Sequence, residues 1–229
     1  MNFDLGLAKR DVKKVKTFCA KNGFATALPK IGSGGYATVH GFGAAAARVT
    51  DVKPNEYYDK HIAFGETAIE RDINIAPMLA HTTTLVSGRK LGVELYPRLD
   101  GITLQQFWKT AAPEDYLTFP PDAYQKFLEN FIDIKSIGYI HETQARNIMV
   151  TGDETKEFNF IDLEPHRPRT IDKSERENLL YWATVGIFPW HLSRQEKARR
   201  TVLGNVESAL LKTPDSTLAL DRIRQELAY

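Results

Sequence analysis

The first half of the chain alternates short apolar runs with turns that contain glycine, a pattern typical of an antiparallel sheet. We predict strands over residues 25–31, 36–42, 44–50, 78–86 and 91–95. Helical spacing predicts an N-terminal helix over residues 8–22 and a further helix over residues 55–73, between the third and fourth strands. We therefore expect a five-stranded antiparallel sheet with one main helix in this half.

After Pro97 the apolar positions recur mainly at helical spacing. Thr103 is expected to cap a short helix over residues 104–110, and Asp122 a longer helix that runs through Ile137. The inward face of the longer helix is predicted to carry Tyr124, Phe127, Leu128, Phe131, Ile134 and Ile137. Further helices are predicted over residues 173–186, 192–211 and 214–228, and a small hairpin pairs residues 148–150 with 158–161. The boundary between the halves is placed at residues 97–101.

Composition narrows the class of protein. With 229 residues, 42% of them hydrophobic, the chain can form one domain or two small lobes. Its 30 basic and 29 acidic residues leave a net charge of +1, so we expect neither a nucleic-acid nor a membrane partner. The single cysteine excludes an internal disulfide and points to a reducing compartment. Because neither a membrane-spanning run nor a secretory signal is apparent, we expect a protein that is soluble and cytosolic where it acts. We also expect it to be a monomer.

Two oxygen-bearing side chains flank the small hairpin. Asn147 precedes its first strand and Asp162 follows its second, so both are expected at the same end. An amide oxygen and a carboxylate suit a hard divalent cation, which takes oxygen ligands and keeps a nucleotide phosphate as a further ligand. The alternative is an ordinary hairpin in which Asp162 caps the segment that follows it.

Two features of the first half could serve phosphate binding. The turn Gly32-Ser33-Gly34-Gly35 joins two predicted strands, and glycines let backbone N–H groups approach a phosphate closely. Arg48 lies on the third strand, and Glu66, in the following helix, could pair with it. The alternatives are a plain turn, two unrelated surface charges, or Glu70 as the partner of Arg48.

Taken in order, these features resemble the protein kinase superfamily over residues 31–162. The family motif G-x-G-x-x-G-x-V appears as Gly32-Ser33-Gly34-Gly35-Tyr36-Ala37-Thr38-Val39, and Ala-x-Lys appears as Ala46-Ala47-Arg48. Gly101-x-Thr103-Leu104 matches a common turn after the hinge. Asn147-Ile148-Met149-Val150 resembles Asn-Ile-Leu-Val, and Asp162-Leu163-Glu164 stands where Asp-Phe-Gly belongs.

The resemblance implies an α+β bilobal fold, a single minimal kinase domain with an N-lobe over residues 1–97 and a reduced helical C-lobe over residues 98–229. It also implies ATP and Mg²⁺ as cofactors. Adenine would lie against the connector from Tyr96 to Leu99, and Asn147 and Asp162 would hold Mg²⁺. Arg48, fixed by Glu66, would steady the α- and β-phosphates, with Lys53 and Lys60 as alternatives. The phosphates would lie under Gly32, Ser33, Gly34 and Gly35, beside Val39.

The catalytic base is ambiguous in the sequence. The aspartate of the family lies five residues before the asparagine, and here that position holds Glu142. Alignment on His141 would instead place Thr143 there. We favour Glu142, because a carboxylate can accept a hydroxyl proton and a threonine is not a comparable base.

The segment after Asp162 is short, and Ala-Pro-Glu is absent, so we expect an enzyme that is not gated by phosphorylation there. This brevity is similar to the minimal kinases that Gram-negative pathogens deliver into host cells by type III secretion. The predicted function is a protein kinase acting on a host protein, with serine or threonine favoured over tyrosine. One alternative is a pseudokinase that acts as a protein-binding module; a small-molecule kinase is less favoured, since it usually needs a larger C-terminal half.

Overall fold

The computed structural model describes residues 5–22, 28–33, 37–140, 144–153, 155–187 and 196–228. Within these residues the chain forms seven α-helices and ten β-strands. It divides into two compact units, Met1–Leu99 and Asp100–Tyr229. None of the described helices is both long and apolar enough to cross a membrane.

The first unit is built on a five-stranded antiparallel sheet, as predicted. Its strands follow the order β1-β2-β3-β5-β4 across the sheet. The elements in chain order are α1 (Leu5–Asn22), β1 (Lys30–Ser33), β2 (Thr38–Phe42), β3 (Ala45–Asp51), α2 (Asn55–Glu70), β4 (Ala80–Val86) and β5 (Arg89–Pro97). The first strand begins later than expected, at Lys30, and residues 25–27 of the predicted strand lie outside the described residues.

One face of this sheet is covered by α1. The helix buries Val12 and Val15 against alternate residues of β3 and β5, namely Ala45, Ala47, Val93 and Leu95. A hydrogen bond also joins α1 to the residue before β3, since Asp11 Oδ2 accepts from the Ala44 N–H at 3.1 Å. The hydrogen bond to Ala44 and the neighbouring Lys14 ammonium lower the pKa of Asp11.

The side chains that contact α2 lie on the opposite face. Tyr58 stacks on His81 of β4 with ring centroids 4.2 Å apart, and its hydroxyl accepts from the Lys53 N–H at 3.0 Å. Gly92 on β5 makes this approach possible, because a Cβ there would collide with the Tyr58 hydroxyl. The buried stripe of α2 consists of Tyr58, His61, Gly65 and Ala68.

The second unit places helices around a small sheet. Its elements are β6 (Gly101–Thr103), α3 (Leu104–Thr110), α4 (Pro121–Ile137), β7 (Tyr139–Ile140), β8 (Ile148–Thr151), β9 (Glu157–Phe160), β10 (Glu164–Pro165), α5 (Lys173–Ile187), α6 (Glu196–Lys212) and α7 (Thr217–Leu227). Single 3₁₀ turns occur at Pro113–Thr118 and Ala145–Asn147. The Thr103 cap is confirmed, since its hydroxyl accepts from the Gln106 N–H at 3.2 Å.

Helix α4 supplies the core against which the hairpin β8–β9 packs. All six of its predicted inward residues are buried, and Phe127 stacks on Phe160 of β9 at 5.1 Å. The predicted Asp122 cap is wrong: the helix begins at Pro121 after Pro120, and Asp122 lies in its first turn. Proline has a fixed φ and lacks the N–H that is unpaired in a first turn, so it can begin a helix without a side-chain cap.

The five-stranded antiparallel sheet and the seven described helices give a mixed α and β structure.

Candidate functional site

The hairpin β8–β9 holds Asn147 and Asp162 at the same end, as the sequence predicts. Ile148 pairs with Phe160, and beyond that pair the Ile161 N–H donates to the Asn147 carbonyl at 3.0 Å. The backbone therefore holds Asn147 beside Ile161, the residue that precedes Asp162. The hairpin is kept in register by its apolar face, where Ile148 and Phe160 are both fully buried.

Asn147 and Asp162 differ in their surroundings. Asn147 is buried and is the last residue of a 3₁₀ turn. Its main-chain N–H donates to the Gln144 carbonyl at 2.9 Å. Asp162 is exposed and has a φ of 56°, in the left-handed region that only a few residue types tolerate. The chain thus turns sharply at the carboxylate, before Leu163 returns to a buried position.

A second pair of strands brackets the loop before Asn147. Glu164 on β10 pairs with Ile140 on β7, and Pro165 pairs with Tyr139. The chain is therefore joined to the segment around Asp162 at Ile140 and again at Asn147. Both candidates for the catalytic base, Glu142 and Thr143, lie outside the described residues.

In the first unit, the candidate phosphate-contacting residues share one row across the sheet. Directly paired positions run from Gly32 to Val39, Arg48, Glu94 and His81 across all five strands. Opposed residues of an antiparallel sheet present their side chains on the same face. Val39 and Arg48 therefore lie side by side, on the face opposite to α1.

Arg48 is held by a buried carboxylate within this row. Its Nη1–H donates to Glu94 Oε2 at 2.9 Å, and the Glu94 side chain has no exposed surface. The Tyr96 hydroxyl, two residues along β5 on the same face, donates to the same oxygen at 2.9 Å. Burial and the adjacent Glu94 charge raise the pKa of Tyr96 well above its usual value, so the phenol stays protonated and acts as a donor.

The predicted pairing of Arg48 with Glu66 is wrong, since the structure gives Arg48 the partner Glu94. Glu66 is exposed on α2, as is its rival Glu70. The physical reason is the rotation of α2 about its axis. The helix buries the stripe of Tyr58, His61, Gly65 and Ala68, and this stripe leaves the side of the helix with Glu66 facing away from the sheet.

The remaining predicted nucleotide contacts of the first unit are placed in part. Gly32 and Ser33 lie on β1 opposite Val39 and Thr38, whereas Gly34 and Gly35 lie outside the described residues. Tyr96 is half-buried near the end of β5, and Leu99 is the last residue of the unit. Among the alternatives to Arg48, Lys60 pairs with Glu56 at 2.6 Å on the exposed side of α2, and Lys53 lies 5.9 Å from the Tyr57 ring.

The second unit also contains a groove of about 490 Å³ at the other end of the hairpin. It is bordered by β6, by the end of α3 and by the β8–β9 turn at Gly152 and Asp153. Because Asn147 and Asp162 lie at the opposite end of the same strands, this groove is not part of the candidate site.

The donor set at the hairpin end fits Mg²⁺. The site offers one amide oxygen and one carboxylate, and Mg²⁺ is usually bound through one or two carboxylates together with phosphates and waters. Across the described ranges, no cluster of three or more His, Cys, Asp or Glu side chains could hold a metal ion. The described residues therefore contain no cage of the kind that binds a metal with protein ligands alone.

In comparisons with known proteins, no family model and no curated protein matches this chain. Solved structures do match, among them that of WaaP in complex with acyl carrier protein. That match has 12% sequence identity, covers 88% of this chain and 89% of the other, and has a TM-score of 0.49. A likeness at this level carries no argument about the fold, the activity or the ligands of this chain.

Sequence reasoning missed Glu94, although a signal was present. The residue is a lone acid in the apolar strand Leu91-Gly92-Val93-Glu94-Leu95. A charge inside a buried strand requires a partner, because an isolated buried carboxylate is costly. Arg48 on the neighbouring strand was the obvious cation, but the partner could be assigned only from the register of β3 against β5.

Proposed function

We propose that this chain is a kinase-like phosphotransferase that uses ATP and Mg²⁺ to phosphorylate a hydroxyl group of a protein. The observation that carries the proposal is the joined end of the β8–β9 hairpin. There the main-chain hydrogen bond from the Ile161 N–H to the Asn147 carbonyl brings residues 147 and 162 to one end of the hairpin, which supports a shared role for their side chains.

The second unit would supply the metal ligands and the base. Asn147 and Asp162 would hold Mg²⁺, which neutralises charge on the phosphates during transfer. Asn147 is suited to a fixed ligand because it is buried and its backbone is held on both sides. Glu142 would accept the proton of the attacking hydroxyl and orient that hydroxyl for in-line attack.

The first unit would supply the phosphate contacts. Arg48 would steady the α- and β-phosphates, and the N–H groups of the turn from Gly32 to Gly35 would approach them. A guanidinium is always charged and presents five N–H donors in a plane, so it can donate to Glu94 and to a phosphate at the same time. The acceleration of phosphate transfer would come mainly from positioning of the reactants and from neutralisation of the phosphate charge.

A protein hydroxyl is favoured as the acceptor over a small molecule. The stretch between Asp162 and α5 is only ten residues, and two of them are paired in β10. So short a stretch leaves little chain with which to enclose a metabolite. Serine or threonine is favoured over tyrosine, and delivery of the protein into a host cell by type III secretion stays a prediction.

A pseudokinase is the second candidate, and the ion pair between Arg48 and Glu94 favours it. Arg48 is engaged by a fully buried carboxylate that also accepts from Tyr96, an arrangement that stabilises the sheet whether or not a nucleotide binds. A protein of this kind would bind a partner and transfer little or no phosphate.

The test is transfer of radiolabelled phosphate from ATP with Mg²⁺ into a eukaryotic lysate, comparing the wild type with Asp162→Asn. We expect a discrete labelled protein with the wild type and none with the variant. Equal labelling with both proteins contradicts the proposed site. ATP binding without any transfer favours the pseudokinase. If the wild type does transfer phosphate, comparison of Glu142→Gln with Thr143→Ala identifies the catalytic base.

A further inference from the structure

We propose that Glu94, and not the helical Glu66, is the residue that positions Arg48 for the phosphates of the nucleotide. The inference rests on the proposed function, since it concerns the phosphate contact of that site. It adds Glu94 to the site, a residue that sequence reasoning did not assign, and it makes the orientation of Arg48 depend on the sheet and not on α2.

The geometry is that of a clamp within one sheet. Arg48 and Glu94 are directly opposed on β3 and β5, and the Nη1–Oε2 distance is 2.9 Å. Tyr96 donates to the same oxygen at 2.9 Å and so holds the carboxylate from the side. Three side chains on one face of two hydrogen-bonded strands therefore fix the orientation of the guanidinium.

Because Glu94 is buried, its carboxylate requires the ion pair with Arg48. Its side chain has no exposed surface, and among the described residues its second oxygen, Oε1, is buried with no hydrogen-bond partner. A carboxylate enclosed in this way is tolerated only beside a cation, and the cation it contacts is Arg48. Arg48 is one-quarter exposed, so its guanidinium is anchored at Glu94 and can still reach solvent or a ligand.

This arrangement makes the orientation of Arg48 independent of α2. In the pairing that the resemblance implied, a helical glutamate would orient the cation, and displacement of the helix would release it. Here β3 and β5 are neighbouring strands paired at seven positions, and Glu66 is exposed. The phosphate contact is therefore built into the sheet and is permanently formed.

The experiment measures the affinity of the full chain for Mg·ATP and for adenosine, which lacks the phosphates. The variants are Glu94→Gln and Glu66→Gln, with Glu70→Gln as a matched exposed control on α2. We expect Glu94→Gln to weaken ATP binding about tenfold while adenosine binding stays within about twofold. Glu66→Gln and Glu70→Gln are expected to leave both affinities within about twofold of the wild type.

A double-mutant cycle separates positioning from a general structural effect. If Glu94 acts through Arg48, the double variant Arg48→Gln/Glu94→Gln binds ATP no more weakly than Arg48→Gln alone. Additive losses would overturn the inference. So would a tenfold loss of ATP affinity in Glu66→Gln together with a wild-type affinity in Glu94→Gln.

A second variant covers the case in which Glu94→Gln does not fold. Tyr96→Phe keeps the ring that the connector would present to adenine and removes only the hydroxyl that holds Glu94, and we expect it to weaken ATP binding about threefold more than adenosine binding. An unchanged ATP affinity in Tyr96→Phe would then overturn the inference. If the wild type binds neither ligand, the proposed function falls as well, whereas wild-type binding with an insensitive clamp overturns the inference alone.

Discussion

The main-chain carbonyl of Asn147 accepts a hydrogen bond from the main-chain N–H of Ile161 at 3.0 Å. This bond extends the β8–β9 ladder by one residue beyond the Ile148–Phe160 pair. It sets Asn147 beside the residue that precedes Asp162, and so brings the two candidate metal ligands to one end of the hairpin.

Replacement of Asp162 should affect stability and activity for different reasons. Stability should depend on how well the new residue adopts the left-handed backbone conformation, whereas activity should depend on the carboxylate charge. Its φ of 56° favours asparagine or glycine over alanine. Asp162→Ala should therefore be less stable than Asp162→Gly or Asp162→Asn by about 1 kcal/mol. Phosphate transfer should be lost in all three, because each lacks the carboxylate.

Urea unfolding and the radiolabel assay measure these two effects separately. Asp162→Asn is the most informative variant, since it keeps size and backbone tolerance while removing only the charge. Transfer by Asp162→Asn at the wild-type rate would show that the carboxylate is not a metal ligand. Equal stability of the alanine and glycine variants would contradict the left-handed conformation.

Gly101 and Gly204 should respond in opposite directions to replacement by alanine. A Cβ at Gly101 would collide with the Val150 carbonyl of β8, so Gly101→Ala is expected to destabilise the protein by about 1–3 kcal/mol. A Cβ at Gly204, in α6, would meet nothing within 4 Å, so Gly204→Ala should stabilise by about 0.5–1 kcal/mol. Thermal denaturation of both variants tests this. Stabilisation by Gly101→Ala would contradict the packing of β6 on β8, and destabilisation by Gly204→Ala would contradict the open space at that position of α6.

His81 should make stability depend on pH near neutrality. Burial, aided by Lys16, lowers the pKa of His81 below its ordinary value of 6.5, although Asp59 and Glu94 act in the other direction. On acidification through 6.5 the unfolded chain therefore takes up a proton before the folded one does, and the free energy of unfolding falls. Urea unfolding at pH 7.5 and 5.5 should show a larger fall in the wild type than in His81→Gln. Parallel pH dependences would contradict the lowered pKa that partial burial gives His81.

Thr103 is expected to stabilise α3 through its hydroxyl. The hydrogen bond from the Gln106 N–H satisfies a donor that has no partner within the helix, so Thr103→Ala should cost about 1 kcal/mol. Thr103→Ser retains the oxygen and should remain close to the wild type. Differential scanning calorimetry of the two variants compares them, and equal losses would assign the effect to the methyl group instead.

The sequence predicted those parts of the fold that depend on local pattern. The stripe from Tyr124 to Ile137 is fully apolar at helical spacing, and all of its predicted inward residues are buried in α4. The Thr103 cap and the hairpin after Asn147 were likewise carried by residues close together in the chain. Local pattern was therefore enough to place Asn147 and Asp162 at one end.

Features that depend on pairing between distant residues could not be predicted. The partner of Arg48 was assigned to Glu66, yet it is Glu94, which is 46 residues away and is chosen by the register of two strands. The pair β7–β10 has only two residues in each strand, too few for an alternating pattern to appear. The start of α4 at Pro121 shows that proline can replace a side-chain cap where Asp122 was expected to act.

The most direct test of the account is calorimetric titration of ATP with and without Mg²⁺, since it needs no knowledge of the acceptor. The wild type should bind ATP more tightly when Mg²⁺ is present. That difference should disappear in Asn147→Ala and in Asp162→Asn, while adenosine binding is unchanged. Absence of ATP binding to the wild type, or a Mg²⁺ dependence that survives in both variants, would contradict the assignment of the hairpin end as the metal–nucleotide site.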